Sequence, residues 1–347
     1  MATTDVLPNL LDWVSMQDPD GSIAVIAWTL AQTNDILKDM IFHEGNLPMG
    51  HRVTVNNGLP QGTWRTNNTG VASTKMLNGQ FQFTIAQLAA YSKVDAAEAE
   101  LNGEVAAFRL AQDQAHIMGM GQQIAAAMFY SNQATNPTQF TGFAPFYNSL
   151  TGAQTGKNII DMGGTGSSNA SLWLTGWGDV TNYALHPKGS PAGLVFKDKG
   201  DVRALYDSNN NTFEGYTSYF EWKIGLAVQN WRYNVRMANI DTTTAGLLGS
   251  APPDLFGSMS DACVKLPTFT RRASGITEND SPGDPMPGIA AAWYCNRTVR
   301  AALDKQAIRD KNVLISYTEY AGAPVMNFRE IPVRVVDGLN NAEARIV

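Results

Sequence analysis

From Val94 to Met118 the apolar positions of this chain step by threes and fours: Val94, Ala97, Leu101, Val105, Phe108, Ala111, Ala115 and Met118. That spacing is one stripe of a 3.6-residue period and predicts a long amphipathic helix from Lys93 to about Tyr130. Asp95, Glu98, Glu100 and Glu104 crowd its first turns, where the helix dipole favours negative charge. Gly119 and Gly121 interrupt the stripe, and Ile124 to Tyr130 reads as helix again. If the two pieces are collinear, the rod is roughly 57 Å long at about 1.5 Å per residue. A compact globule of this length is roughly 50 Å across. The pattern therefore demands either a kink at the glycines or a flat, drawn-out molecule.

The flanking segments favour the drawn-out form. Residues 1–19 show little periodicity and read as an arm. A helix is expected from Ser22, with Ile23, Ile26, Leu30, Leu37 and Ile41 on one side and Gly45 as its stop. In residues 49–92, His51–Val55 and the alternating Gln80–Ile85 have strand character. About 24 residues rich in Asn, Gly and Thr lie between them and carry Trp64, Arg65 and Lys75. Together they predict a long hairpin, whose 20-residue limbs reach roughly 60 Å at about 3.3 Å per residue. A lone two-stranded ribbon is marginal in water, so its resting place is a neighbouring molecule.

Asn136–Ser171 is loop-rich. A β-dense block follows: Ser171–Gly178, Tyr183–His186, Gly193–Phe196, Thr217–Ile224 and Tyr233–Met237. Beyond residue 245 helices are expected at Pro253–Val264 and Ile289–Asp310, around a polar loop Glu278–Gly288, with strands at Val313–Tyr317 and Ile331–Val336. The class is α+β, without an internal repeat.

Composition sharpens this. Only 16% of residues are charged, against a usual quarter, and such a surface suits contact with other protein. The formal charge of −6, with no basic run longer than Arg271–Arg272, argues against a sequence-independent nucleic-acid binder. Cys263 and Cys295 are too few for a disulfide scaffold and are expected as reduced thiols in helical segments. The first residues lack the basic and apolar regions of a signal peptide, and no apolar run reaches membrane-spanning length. A soluble cytosolic product is expected, and Asn-x-Ser/Thr triplets such as those at Asn67, Asn169, Asn210 and Asn296 read as chance.

No catalytic constellation stands out. Gly152-Ala-Gln-Thr-Gly156-Lys157-Asn158 has three residues between its glycines where a P-loop has four, and Asn where magnesium needs Ser or Thr. Gly164-Thr-Gly166 reads as a turn. His43, His51, His116 and His186 share no metal-ligand spacing, and His116 is expected to make an ordinary i,i+3 contact with Asp113. Neither cysteine has a redox or nucleophile pattern, and Gly-x-Ser-x-Gly is absent. Trp173, Trp177, Trp222, Trp231, Tyr183, Tyr219 and Tyr233 read as core packing before a sugar-stacking face. Arg232 and Arg236 read as partners for carboxylates before an anion clamp. No metal or cofactor is expected.

Four phrases, Leu172–Val180, Leu185–Leu194, Gly225–Tyr233 and Arg236–Asp241, together with Trp293–Thr298, carry a resemblance. With the arm, hairpin and long helix, they resemble the major capsid proteins of short-tailed, podovirus-type bacteriophages of the Bordetella-phage and epsilon-fifteen kind, which have the Hong Kong 97 capsid fold. The resemblance covers nearly the whole chain, most securely from about residue 90 onward. It implies an N-terminal arm with helix (1–48), an E-loop hairpin (49–92), a spine helix of the P-domain (93–135) and a β-rich P-domain region (136–244). An A-domain (245–330) and a C-terminal strand returning to the core (331–347) complete it.

The resemblance further implies pentamers and hexamers closing into an icosahedral head around double-stranded DNA. Trp64, Arg65 and Lys75 would be inter-subunit contacts of the E-loop, and the N-arm would also reach a neighbour. Portal and scaffolding proteins, and a cement protein, are the further partners it implies, with no membrane involved, assembly in the host bacterial cytoplasm, and residence in the virion. The founding phage of the fold crosslinks an E-loop Lys. Lys75 is the only Lys on this loop and nothing identifies its partners, so no crosslink is expected. The alternatives are an encapsulin-like compartment shell and, from another class, a carbohydrate-active enzyme using the Trp-rich sheet.

Overall fold

The computed structural model describes residues 34–100, 105–151, 154–199, 202–206, 210–243, 246–247, 249, 252–267, 289–309, 315–320 and 323–347. The chain runs through helix α1 (Ile36–Asp39), strands β1 (Phe42–Glu44), β2 (Gly50–Gly58) and β3 (Leu77–Asp95), and helices α2 (Ala96–Glu100) and α3 (Val105–Tyr130). Strands β4 (Ile159–Asp161), β5 (Asn169–Trp177), β6 (Asn182–His186), β7 (Leu194–Asp198), β8 (Arg203–Tyr206), β9 (Thr212–Val228) and β10 (Asn234–Asp241) follow. Helix α4 (Leu255–Lys265), β11 (Ala290–Cys295), α5 (Arg297–Arg309), β12 (Ile315–Tyr320), β13 (Ala323–Phe328) and β14 (Ile331–Val335) complete it.

One connected, mixed sheet carries the order β12-β13-β14-β11-β5-β6-β9-β3-β2, with β10 beside β5 and β4, and β7 and β8 beside β9. Its centre is β5, buried at every position. The two-residue period of a strand sends its side chains to opposite faces. Ala170, Leu172 and Leu174 join Val235, Met237 and Trp293 under α4 and α5, where Leu255, Met259, Val299 and Leu303 cover them. Trp173 and Trp177 point the other way, into Ile124, Met128 and Phe129 of α3 with Phe143 and Tyr147. The Trp-rich block is thus the centre of the core, and Trp222 and Trp231 pack at its margin.

The long helix is real but starts later than its periodicity predicts. Lys93 and Asp95 still pair with Thr217 and Gly215 as strand, so cross-strand bonding overrides the helical spacing there. Asp95 Oδ1 then accepts from the Ala97 amide at 2.8 Å, satisfying a free donor at the turn into α2. Leu101 and Glu104 lie outside the described residues. Helix α3 continues unbroken through Gly119 and Gly121 for 26 residues, about 39 Å. Its buried face is Phe108, Met120, Ile124, Ala125, Met128 and Phe129, while Ala97 and Ala115 of the expected stripe are exposed. A Cβ at Gly121 would lie 3.9 Å from Leu37, which α1 lays against the helix.

Three other expectations change. Of the helix foreseen from Ser22 the described residues hold Ile36–Asp39, which stops short of Gly45 because Phe42–Glu44 leave as a strand beside β6; Ile23, Ile26 and Leu30 lie outside the described residues. The segment Ile289–Asp310 opens as strand β11, paired to β5 and β14, and turns helical only at Arg297. Cys295 therefore ends a buried strand, and burial pushes its thiol up to about 12; neither cysteine is in a disulfide. Finally, Asp113 and His116 do not pair with each other. Asp113 accepts from the Ser218 hydroxyl at 3.0 Å, and His116 stacks on Phe220.

Of the two arginines, Arg232 is exposed and Arg236 is buried in a polar lock. Its Nη2 donates to Glu343 Oε2 at 2.7 Å, its Nε to Ser171 Oγ at 3.0 Å, and its Nη1 to the Tyr147 carbonyl at 2.8 Å. The guanidinium lies 4.9 Å over Trp173. Ser171 donates to the same Glu343 oxygen, and the Tyr130 hydroxyl donates to the other at 2.5 Å. Burial, and then the Glu343 carboxylate, push the Tyr130 phenol well above its ordinary value. Asn239, held at φ 58°, continues the lock by pairing its amide with the backbone of Ile346.

Candidate assembly interface

Strand β3 has two lives. From Ile85 to Asp95 it lies in the body's sheet against β9, from Gly225 to Gly215. From Leu77 to Thr84 it leaves that sheet and pairs only with β2, between Gly50 and Gly58. The free-standing ribbon is thus shorter than residues 49–92, and its lower part is anchored. Val53, Phe83 and Ile85 are buried against Tyr183, Leu185 and Ala227, and Phe83 meets Phe146 edge-on at 6.5 Å. The Thr84 hydroxyl donates to Gln133 Oε1 at 2.9 Å.

Past that anchor, support ends. Leu59, Val71, Met76, Leu77 and Phe81 are exposed, and Trp64 is fully so. Arg65 Nη1 donates to the Thr69 carbonyl at 3.2 Å, bracing a tip whose turn places Asn68 at φ 64°. Lys75 is exposed on the returning limb. All three expected contact residues therefore sit on the connection between β2 and β3, Trp64 and Arg65 near its turn. Fully burying one large apolar side chain stabilises by about 1.5–3 kcal/mol, so this tip favours association with another apolar surface.

Sequence spacing did not reveal the root of the ribbon. His43 of β1 and His51 of β2 stand edge-on to the Tyr183 ring, at 4.7 and 5.7 Å. His43 Nε2 is 3.1 Å from Asp179 Oδ1, and His51 Nδ1 accepts from the Asn46 amide at 3.3 Å. Burial, with the neighbouring His43, holds His51 below the ordinary imidazole value. These histidines come from positions that only the β1–β6 and β2–β3 pairings bring together, so no sequence motif marks them. Beside the root, Leu88, Ile124, Ala127, Tyr130, Phe140 and Ile224 line a groove of about 470 Å³.

Part of one motif weighed for chemistry has a packing role. Gln154–Asn158 is a 3₁₀ turn, with Asn158 donating to the carbonyls of Arg232 and Asn234 at 3.1 and 2.9 Å. Among the described residues no His, Cys, Asp and Glu group has the arrangement of a metal site, and no helix is long and apolar enough to cross a membrane.

Comparison with known proteins gives the same direction. The family model described as major capsid protein GP7 matches residues 18–347. A solved structure of bacteriophage Epsilon15 is 31% identical over 100% of both chains, at a TM-score of 0.74. The capsid of bacteriophage JBD30 aligns over 91% of this chain and 96% of its own at 10% identity and a TM-score of 0.48. The SrpI encapsulin of Synechococcus elongatus PCC 7942 aligns over 67% and 96% at 9% identity and a TM-score of 0.44. A search of curated proteins found no match.

Proposed function

We infer the function from the premise that this chain belongs to the major capsid protein GP7 family. It has the Hong Kong 97-type capsid fold and is a structural component of a bacteriophage virion, a subunit of an icosahedral shell. Our reading of its parts is that residues 1–48 act as the N-arm, the ribbon as the E-loop, and α3 as the spine of the P-domain. The regions 136–244, 245–330 and 331–347 supply the rest of the P-domain, the A-domain and the returning C-terminal segment.

The observation that carries the mechanism is the ribbon: anchored at Val53 and Phe83, apolar and uncovered beyond. It lies over a neighbouring subunit, with Trp64, Arg65 and Lys75 at the contact. Such head-to-tail contacts are heterologous and close into rings when the rotation permits, here pentamers and hexamers. Portal and scaffolding proteins, assembly in the host cytoplasm and enclosure of DNA without sequence reading complete the proposal. Deleting Asn57–Asn78 tests it: a folded subunit that forms no shells by electron microscopy is expected, and normal yields of shells would refute the interlocking role.

A further inference from the structure

We propose that the aspartate-bearing N-terminal segment of this chain, residues 1–33, docks in a lysine-lined cleft on the arm of the sheet. The inference goes beyond the shell reading and uses it only to choose assembled particles for the assay.

Strand β9 presents two faces. Tyr216, Ser218 and Phe220 turn toward α3, meeting Arg109, Asp113 and His116. Thr217, Tyr219, Glu221 and Lys223 alternate with them and so occupy the opposite face. There the register sets Lys93 beside Thr217 from β3, and Tyr91 and Lys197 on either side of Tyr219. The Lys199 amide is bonded to the Thr217 carbonyl, so Lys93 and Lys199 flank Thr217. Glu221 on this face is already engaged, by Lys223 at 3.0 Å and Gln87 at 2.7 Å. Among the described residues no carboxylate forms an ion pair with Lys93, Lys197 or Lys199.

Between these groups lies a cleft of about 300 Å³, lined by Tyr91, Lys93, Lys199, Ala204, Leu205 and Thr217. Lys199 Nζ stands 5.7 Å over the Tyr91 ring. Thr217 is only 6% exposed, and its hydroxyl is buried without a hydrogen-bond partner. A buried hydroxyl left unpaired costs free energy, and an acceptor entering the cleft relieves that cost while neutralising two ammonium groups. The cleft is therefore shaped for a carboxylate or another small anionic group.

The sequence supplies the occupant. Residues 1–33 hold Asp5, Asp12, Asp18 and Asp20, with no Lys, Arg or His. The described chain begins at Asn34, which bridges Val336 and accepts from the Gly338 amide. From there 33 residues span at most about 110–120 Å, enough to reach a cleft on the same or an adjacent copy. Duplex DNA fits less well, because it needs a long cationic stripe to follow its evenly spaced phosphates. This cleft is short and walled by Ala204 and Leu205.

Carbodiimide treatment of assembled particles, which joins an ammonium and a carboxylate in contact, tests the docking when the linked peptides are read by mass spectrometry. Links from Lys93 or Lys199 to Asp12, Asp18 or Asp20 are expected, and mixing isotopically labelled with unlabelled subunits tells which copy supplies the segment. N-terminal aspartates linked only to other lysines would overturn the proposal. In a second arm, Lys93→Glu with Lys199→Glu should cost the segment its protection from limited proteolysis. Adding Asp12→Lys, Asp18→Lys and Asp20→Lys should restore it; failure to restore it counts against the pairing. Acylation of Lys93 and Lys199 blocked only in DNA-filled particles would assign the cleft to phosphate and also overturn it. Electron microscopy of the same particles reports shell formation separately, so intact shells without docking count against this inference alone.

Discussion

At the scale of single residues, the most consequential side chain is Glu343. It receives Arg236, Ser171 and Tyr130 in a site where both charged partners are only about one-twentieth exposed. Removing one member of a buried pair strands the other's charge, at roughly 3–5 kcal/mol. Glu343→Ala should lower the denaturation midpoint of dissociated subunits by that order, and Glu343→Gln by less, because it keeps hydrogen-bonding capacity. The ribbon root gives a pH prediction. His51 binds its proton less tightly in the folded state than in the unfolded chain, whose value is 6.5. Its neutral form is thus favoured by folding, so root stability is complete above 6.5 and declines as pH falls through that value. Hydrogen exchange across β2 and the outer half of β3 should quicken on the acid side in the parent chain and much less in His51→Gln. Cys295, with its thiol raised by burial, should resist alkylation at neutral pH until the subunit unfolds.

At the scale of elements, strands with strong alternation and turn punctuation were legible: β5, β6, β9 and β10 fall where the apolar pattern put them. Two boundaries were not, for one physical reason. Lys93–Asp95 and Ala290–Cys295 carry apolar positions that satisfy a helical period locally, and only pairing with distant strands selects the extended form. The same non-locality hid the His43–His51–Tyr183 cluster and the Arg236–Glu343 lock, although a carboxylate partner for an arginine there was foreseeable. The exposed position of Trp64, Arg65 and Lys75 was legible, because an Asn-, Gly- and Thr-rich stretch between strands has little of its own to pack against; their contact with a neighbour is part of the proposal. Helix α3 offers a sharp test of its assigned face. Phe108 is 1% exposed and packs in a cluster with Val94 and Ala99. Phe108→Asp should cost several kcal/mol and yield aggregated or partly unfolded subunits, whereas Leu110→Asp, on the exposed side, should fold normally.

At the scale of the whole molecule, the body is a sheet covered by helices on both faces, and what protrudes is a ribbon whose apolar tip has no cover of its own. Trp64→Ala should therefore leave the circular dichroism and melting of the isolated subunit unchanged while reducing shell yield in electron microscopy. A simultaneous loss of subunit stability would show that Trp64 packs within its own chain. The lock around Glu343 also governs timing. That carboxylate follows its partners Arg236, Ser171 and Tyr130 by 107, 172 and 213 positions. A ribosome still translating residue 300 has already released β5, β9 and β10, yet the arginine beneath Trp173 is without its counter-ion. Nascent chains should consequently stay protease-sensitive and reluctant to join rings until this late stretch clears the exit tunnel, which protects a growing shell from incorporating half-made subunits.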